Sequence, residues 1–252
     1  MAVDNQMYDR LAHTWWAKGG TLSALNTLIP GRFAYLDGIL EARGRAYAGI
    51  DVLDLGCGGG LMSEAYARRG ARVTGVDPSA GSLAAARAHA ELSGLAIRYE
   101  QGTGESIPLL DGSFGLVSCC DVLEHVNDLD TVSREVARLL RPGGFYFFDT
   151  INRTWLSWLV MIKMFEEWVG AIPRRTHDWD MFITPDELRA SLERAGLAVR
   201  DMTGLSIDPN PLRLAPAIAK MVLGSADRDS ALAVMGPSPI TSVVYMGWAE
   251  PA

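Results

Sequence analysis

Residues 52–81 read VLDLGCGGGLMSEAYARRGARVTGVDPSAG, and this segment gives the clearest indication of the fold. An apolar strand ends at Leu55, glycine stands at Gly56 and at 58–60, a helical pattern follows, and a second strand ends at Asp77. Glycines lack Cβ atoms, so a ligand can touch the backbone, and the first N–H groups of the following helix are free to bind it. Asp77 is placed to accept hydrogen bonds from both hydroxyls of a ribose. The stretch therefore predicts a nucleoside site at the carboxyl ends of adjacent parallel strands.

The acid before the glycines distinguishes two kinds of nucleoside ligand. The dinucleotide fingerprint is G-x-G-x-x-G, whereas the spacing here is Gly56-x-Gly58-x-Gly60. Asp54 would repel a pyrophosphate but suits a ligand that carries an ammonium group. S-adenosylmethionine (SAM) is such a ligand, because it joins a ribose to a cationic amino-acid tail and has no phosphate. We therefore predict SAM rather than NAD. In the alternative, the glycines serve only a tight turn and Asp77 caps a helix.

The composition limits the classes of protein that fit. The chain has 252 residues, of which 48% are hydrophobic and 21% charged, as is ordinary for a globular protein. A net charge of −7 argues against nucleic-acid binding, which needs clustered Lys and Arg. The three cysteines lack the spacing of a disulfide framework or a zinc site. The N-terminus has no apolar signal-like region and no window is apolar over 18 residues, so we expect a cytoplasmic protein that does not span a membrane.

The rest of the chain alternates between strand and helix patterns. Strands are predicted in the segments DVLDLG, RVTGVD, AIRYEQ, GLVSCCD, GFYFFDT, LAVRDMTG and SVVYMGWA. Helices are predicted over residues 60–69, 79–92 and 129–140 and at TPDEL. In the last of these, Thr184 is the N-cap and Glu187 its capping-box partner. This alternation predicts the α/β class with a doubly wound parallel sheet.

Three segments stand outside that rhythm. Residues 1–45 read as helices with a break at Pro30–Gly31, and residues 152–182 read as a helical insertion after the fifth strand. Residues 205–240 form a third, proline-containing segment, which we predict to be an insertion on the substrate side.

Taken in order, these motifs resemble the class I SAM-dependent methyltransferases over about residues 45–205. The segments RLAHTWWAKGG, VSCCDVLEHVND, LLRPGGFYFFDTINRTWLSW and IPRRTHDWDMFITPDEL narrow the resemblance to the ubiquinone-biosynthesis O-methyltransferase family. The resemblance implies a Rossmann-like sheet of seven mostly parallel strands with helices on both faces. Residues 1–45 would be an N-terminal helical cap and residues 46–252 the methyltransferase domain. The implied reaction is methyl transfer from SAM to a phenol or catechol hydroxyl on a prenylated quinone precursor.

The predicted cofactor residues come from the resemblance and from the glycine bend. The resemblance assigns SAM contacts to Arg32, Gly56, Asp77 and Cys120. Arg32 suits the carboxylate of SAM, because a guanidinium binds a carboxylate through two parallel hydrogen bonds. Asp54 and Gly58 belong to the bend itself. Glu105, in the loop after the third strand, either reaches the adenine or caps that loop.

The segment CDVLEHV after the fourth strand carries the candidates for methyl transfer. In a helical turn, Asp121, Glu124 and His125 fall at i, i+3 and i+4, on one face beside the sulfonium. Three roles are open: the trio binds a divalent cation such as Mg²⁺, as the resemblance implies; His125 is a general base without a metal; or the trio caps and packs a short helix. His177 is a second candidate base, with Asp178 to orient its ring.

The insertion TWLSWLVMIKMFEEWVGAIPRR has one broad apolar face. Its members are Trp155, Trp158, Leu159, Ile162, Phe165, Trp168 and Val169. This face either covers the acceptor pocket as a lid or contacts a membrane, with Lys163, Arg174 and Arg175 near the headgroups. Glu166 and Glu167 oppose strong binding to an anionic surface. Because the resemblance implies a lipid-soluble aromatic substrate, we expect a cytoplasmic enzyme with peripheral contact to the inner membrane.

Two other functions remain as alternatives from the sequence. Residues 208–239 differ from the resembling family in length and composition, which favours SAM-dependent C- or N-methylation of a specialised metabolite. A non-catalytic SAM-binding module is disfavoured by the acids and histidine predicted beside the sulfonium. No motif predicts an oligomeric state.

Overall fold

The computed structural model describes residues 5–170, 172–207 and 235–252, and these form a mixed β-sheet with helices on both faces. Its strands are β1 (Asp51–Leu55), β2 (Arg72–Asp77), β3 (Ile97–Gln101), β4 (Phe114–Cys119), β5 (Leu140–Ile151), β6 (Leu197–Ile207), β7 (Met235–Ser238) and β8 (Val244–Pro251). The order is β3-β2-β1-β4-β5-β8-β6-β7. Strands β1 to β5 are parallel, and β8 lies antiparallel between β5 and β6. The predicted Rossmann-like α/β fold is confirmed.

The predicted number of strands is wrong by one. The sheet has eight strands in the described ranges rather than seven, because the short β7 pairs antiparallel with the end of β6 at the sheet edge. A proline is tolerated there, since Pro237 lies on an edge strand, where not every backbone group has to pair. Most of the predicted insertion at 205–240, namely residues 208–234, lies outside the described residues.

The helices cover the sheet on both faces. They are α1 (Asn5–Leu11), α2 (Ile29–Ala42), α3 (Leu61–Ala67), α4 (Ala80–Leu92), α5 (Leu129–Leu139), α6 (Trp155–Ser157) and α7 (Pro185–Arg194). One apolar core joins α2 and α3 to the sheet, and another joins α5 and α7 to it. The predicted capping box of α7 is confirmed, since the Thr184 side chain accepts from Glu187 N and the Glu187 carboxylate accepts from Thr184 N. None of the helices within these ranges is long and apolar enough to cross a bilayer.

The predicted break at Pro30–Gly31 is misplaced by about two residues, since a 3₁₀ helix ends at Leu28 and α2 begins at Ile29. Pro30 lies in the first turn of α2, where a missing N–H costs no hydrogen bond. Gly31 faces the sheet, and a Cβ added to it would lie 2.7 Å from the carbonyl oxygen of Met235. This glycine therefore allows a close helix-to-strand approach inside a continuous helix.

The insertion after β5 forms what we call the lid segment, residues 152–182. Thr154 caps α6, with Ser157 completing a capping box. The helix then continues in π-helical conformation over Trp158–Trp168, and a short 3₁₀ turn follows at Trp179–Met181. The predicted helical character of this segment is confirmed.

The N-terminal helical segment packs on the glycine bend. The indole of Trp15 covers Gly58 and Gly59, and its Nε1 donates to Ser82 Oγ at 3.1 Å. Trp16 Nε1 donates to the Gly59 carbonyl at 2.8 Å. The Trp16 ring also stacks on His89, with ring centroids 3.4 Å apart. The backbone that turns from β1 into α3 is thus held from outside by two tryptophans.

We expect Gly59→Ala to destabilise the fold. An added Cβ would lie 2.2 Å from Cγ of Trp15, so the indole has to move. Overpacking of this kind costs about 1–3 kcal/mol, measured as the free energy of unfolding in urea. The matched control is Gly38→Ala on the exposed side of α2, where nothing lies within 4 Å of the added Cβ and a stabilisation of up to about 1 kcal/mol is expected. Equal unfolding free energies for the two variants would contradict the packing.

Candidate active site

A cavity of about 910 Å³ opens at the carboxyl ends of β1, β2 and β4. It lies at the point where the strand order reverses, which is the usual ligand position in such sheets. Every predicted site residue lines it: Arg32, Asp54, Gly56, Gly58, Asp77, Glu105, Cys120, Asp121, Glu124, His125 and His177. The structure thus brings residues from six separate parts of the chain to one site.

The glycine bend forms the wall of this cavity. Gly56, Gly58 and Gly60 have φ angles of 71°, 51° and 84°, which side chains with a Cβ rarely adopt. Gly58 N donates to one oxygen of Asp77, and Ser79 N donates to the other, both at 2.8 Å. Each carboxylate oxygen has a second lone pair for a ligand hydroxyl. Burial raises the pKa of Asp77 to about 6. The bend and its acid fit a ribose.

Asp54 lies deeper, at the end of β1. It is 2% exposed, and Ser63 Oγ donates to its Oδ2 at 2.5 Å. Burial raises the pKa of this carboxyl to about 7. A buried carboxylate is costly, so it gains from a cation beside it. This environment fits the predicted ammonium group of SAM.

Arg32 joins three elements under the cavity. Its Nε donates to Asp149 Oδ2 at 2.6 Å, and its Nη2 donates to Asp121 Oδ2 at 2.5 Å. Asp149 on β5 is fully buried, and Arg32 is 2% exposed. The guanidinium is therefore already bound to two carboxylates, while it also lines the cavity. Its contact with the SAM carboxylate stays a prediction.

Two further cofactor predictions have local partners. Glu105 Oε1 accepts from Asn127 N at 2.9 Å, so it ties its own loop to the turn after β4. Cys120 is buried at the end of β4 and lies near Ser118, with Sγ and Oγ 3.7 Å apart. Both line the cavity, and their contacts with SAM stay predictions.

The predicted helical turn at CDVLEHV forms only in part, as a 3₁₀ turn that does not include Asp121. Asp121 has a left-handed backbone with φ 55°, and a 3₁₀ turn follows at Leu123–His125. Asp121 therefore points to Arg32 instead of sharing one helix face with Glu124 and His125. A different group converges: the ligand atoms of Glu124, His125 and His177 lie within 4.8 Å of one another. We call these three residues the reaction cluster.

Burial sets the charges in the reaction cluster. Glu124 accepts from Thr150 Oγ1 at 2.7 Å, and burial, with Asp121 nearby, raises its pKa to about 8. Burial and the neighbouring His177 lower the pKa of His125 to about 4. At neutral pH, Glu124 thus carries a proton and His125 is a neutral imidazole.

His177 is held by an acid that the sequence did not single out. Its Nδ1 lies 2.7 Å from Oε1 of Glu166, whereas the predicted partner Asp178 caps the turn at Trp179–Met181. The assignment of Asp178 as the orienting acid is therefore corrected to Glu166. The sequence predicts that Glu166, like Glu167, is a surface acid. In the structure Glu166 is buried, with 2% of its surface exposed. No pattern in the sequence distinguishes Glu166 from Glu167 beside it.

Tyr8 is a second residue that sequence reasoning missed. It lines the cavity from α1, and its ring meets that of His125 edge to face, with centroids 6.4 Å apart. Asp9 fixes this helix, because its Oδ1 accepts from Ser79 Oγ at 2.6 Å and from Gly81 N at 2.8 Å. Burial raises the pKa of Tyr8 above its ordinary range. The phenol stays protonated and can donate a hydrogen bond.

The opposite half of the cavity is apolar. Its wall is made by Leu25, Leu28, Ile29, Met161, Phe165, Ile172, Met235 and Val244. The lid segment supplies three of these residues, so the insertion closes the cavity on its acceptor side. A polar end next to an apolar wall fits a ring that carries a hydrophobic substituent.

Comparison with known proteins places this site in a family context. The family model described as "Methyltransferase domain" matches residues 53–148. Among curated proteins, the chain is 41% identical over 209 residues to the ubiquinone biosynthesis O-methyltransferase of Methylobacterium sp. (strain 4-46), covering 80% of this chain and 84% of that protein. It is 42% identical over 203 residues to the protein of the same name from Pseudomonas aeruginosa (strain UCBPP-PA14), covering 80% and 85%.

Solved structures share the fold at lower identity. An S-adenosylmethionine dependent methyltransferase from Mesorhizobium loti aligns with a TM-score of 0.58 and 23% identity, covering 84% of this chain and 95% of that one. The protein PH0226 from Pyrococcus horikoshii aligns with a TM-score of 0.60 and 18% identity, covering 91% and 90%. At these identities the likeness supports the fold alone.

The raised pKa of Asp54 predicts that SAM binds more weakly in acid. The bound ammonium needs an ionised carboxylate, so a proton must leave whenever the pH is below the pKa of the free site. With that pKa at about 7 and the pKa of Asp77 at about 6, the Kd for SAM should be about tenfold weaker at pH 6 than at pH 7, measured by calorimetry. In Asp54→Asn, binding at pH 7 should be weaker and the pH dependence should shrink to about twofold, the part left to Asp77.

A parent protein whose Kd is unchanged between these two pH values would contradict this account of Asp54. So would an Asp54→Asn variant that retains the full dependence.

Proposed function

The chain belongs to the ubiquinone biosynthesis O-methyltransferase family of SAM-dependent methyltransferases, and we propose that it methylates a phenol or catechol hydroxyl on a ring with a hydrophobic tail. The observation that supports this most directly is the single cavity that holds both halves of the chemistry. Asp54 and Asp77 lie at the glycine bend, and the reaction cluster lies beside them. SAM supplies an electrophilic methyl group on a sulfonium.

The acceptor hydroxyl has to lose its proton as its oxygen forms the new bond to carbon. A phenol has a pKa of about 10, so a neighbouring base is needed near neutral pH. We assign the proton to His177, because this residue lines the cavity and the contact of its Nδ1 with Glu166 leaves Nε2 as the nitrogen that can take the proton. The carbon–sulfur bond breaks with its electron pair going to sulfur. The products are the methyl ether, S-adenosylhomocysteine and one proton.

The walls of the cavity support an acceptor with a long apolar substituent. Met161, Phe165 and Ile172 of the lid segment face Leu28 and Met235 across it. Burying apolar surface is worth about 25 cal/mol per Å², so a prenyl-like tail would contribute more to binding than the small ring. A prenylated quinone precursor is the substrate class that fits both ends.

The reaction cluster also supports a second candidate, a bound divalent cation. Glu124, His125 and His177 supply one oxygen and two nitrogens within 4.8 Å, which is a plausible ligand set. Two imidazoles suit a transition metal better than Mg²⁺, which prefers oxygen ligands. Asp121, which the sequence included in this set, is bound to Arg32 instead. A cation here would lower the pKa of a phenol oxygen placed against it.

The purified enzyme should convert a 4-alkylcatechol and SAM to the methyl ether, followed by mass spectrometry. His177→Gln should lower kcat by about 10²–10⁴-fold, the usual contribution of a general base, while the Kd for SAM stays within about twofold. The control is His13→Gln on the exposed turn after α1, which should match the parent.

A parallel series after dialysis against EDTA tests the cation. Unchanged turnover removes the cation and leaves the imidazole base; loss of turnover that is restored by a transition metal favours the cation. A parent protein that binds SAM but methylates a carbon or nitrogen acceptor instead would overturn the proposed hydroxyl chemistry.

The exposed aromatic side chains of the lid segment support contact with a membrane. Trp155 and Trp168 are 71% and 70% exposed, and Trp158, Val169 and Trp179 are exposed beside them on the same segment. Exposed tryptophans of this density are unusual on a surface that meets only water, and they are at home at a lipid interface. The charges contribute little, since Lys163 is paired with Glu167 at 2.7 Å. We propose that the lid segment docks on the bilayer from which a lipid-soluble acceptor enters.

The parent protein should float with phosphatidylcholine vesicles, and Trp155→Ser/Trp168→Ser should float at least about threefold less, because two interfacial tryptophans are lost. The control is Leu92→Ser/Leu110→Ser, which removes two side chains that are 85% and 82% exposed on other parts of the surface. Equal flotation of both double variants would count against docking by the lid segment.

A further inference from the structure

Glu166 is out of place by the usual rules of burial. The π-helical stretch Trp158–Trp168 is mostly apolar, yet its one fully buried side chain among the described residues is this acid. Its tryptophans and Val169 remain exposed, and Glu167 next to it is at the surface. Burying a carboxylate is costly unless its oxygens are bonded. A fold that buries Glu166 and exposes the tryptophans must gain something specific from it.

The partners of Glu166 lie in the second half of the lid segment. Oε2 accepts from Arg175 N at 2.8 Å. Oε1 accepts from His177 N at 2.9 Å and lies 2.7 Å from His177 Nδ1. The Arg175 backbone is in the left-handed region with φ 66°, a conformation that turns the chain back toward the helix. The carboxylate thus closes a loop of about ten residues and holds the imidazole in it.

These contacts decide which nitrogen of His177 carries the proton. An ionised carboxylate at hydrogen-bond distance from Nδ1 accepts an N–H from it, so in the neutral ring Nε2 keeps its lone pair. His177 lines the cavity, and its ring stacks on that of His125 with centroids 5.5 Å apart. Phe182 meets the same ring edge to face at 5.8 Å and limits its rotation. An unprotonated Nε2 is the form that can take a proton from an acceptor or hold a cation.

We propose that Glu166 is a positioning residue that holds His177 as the Nδ1–H tautomer, so that the lid segment must be in place before the site can react. This inference rests on the proposed methyl transfer and deepens it. Because Glu166 lies on the helix that carries the exposed tryptophans, any displacement of that helix withdraws the carboxylate from His177. Closure of the lid segment over the acceptor and alignment of the His177 imidazole therefore occur together.

The first test compares Glu166→Gln with Glu167→Gln, its exposed neighbour, in the 4-alkylcatechol assay. Glu166→Gln should lower kcat by about 10–100-fold, as loss of an orienting partner of a functional histidine typically does, with the Kd for SAM unchanged within about twofold. Glu167→Gln should retain the parent kcat. Adding Glu166→Gln to His177→Gln should change kcat by less than about threefold, because the two residues act as one unit.

The second test reads the tautomer itself, by ¹⁵N NMR of histidine-labelled protein with His177 assigned from His177→Gln. The parent should show Nδ1 protonated and Nε2 unprotonated. Glu166→Gln should shift the population toward the Nε2–H form, whereas Glu167→Gln should not.

Three results would overturn the inference. They are an Nε2–H tautomer in the parent, a parent-like kcat in Glu166→Gln, and a double variant whose loss of kcat equals the product of the two single-variant losses. Failure of the proposed function has a different signature, since a parent that does not methylate the catechol still reports its His177 tautomer.

Discussion

The buried ion pairs of Arg32 are the constraint on which the site depends. The guanidinium joins the N-terminal helical segment to Asp149 in the middle of the sheet and to Asp121 at the end of β4. Removing one partner from such a network costs about 3–5 kcal/mol, because an uncompensated charge remains buried. The same pairing keeps Asp121 in its left-handed conformation, with its backbone N–H donating to Asp149. The turn that follows can therefore present Glu124 and His125 to the cavity without Asp121.

Local patterns in the sequence were sufficient for most of the fold. The strand ending at Asp77 and the capping box at Thr184 were predicted correctly, because glycine conformation, strand alternation and helix caps depend on a few neighbouring residues. The residues predicted for the site all line one cavity. The predicted grouping of Asp121 with Glu124 and His125 was wrong, because Asp121 pairs with Arg32. That pair is separated by 89 residues, and no local pattern encodes it. The extra strand β7 was missed for the same reason, because its pairing with β6 is non-local.

The lid segment shows how one short insertion can have two surfaces of opposite use. Phe165 lines the cavity, Trp168 lines it while remaining 70% exposed, and Trp155 is exposed away from it. The wider turn of a π-helix changes which residues share a face, and only part of the predicted apolar face lines the cavity, namely Phe165, Trp168 and Val169. That face is divided between an inner wall and an outer surface, with Glu166 buried between them.

The cysteines of this chain have a practical consequence. Cys57, Cys119 and Cys120 are all buried with free thiols, and burial raises the pKa of each of them. Thiolate is the reactive form, so native protein should resist alkylation and oxidation at these positions. A cysteine introduced at an exposed position of the lid segment would then be the fastest-reacting thiol. Spectroscopic labels could be attached there selectively, without first removing the natural sulfhydryl groups.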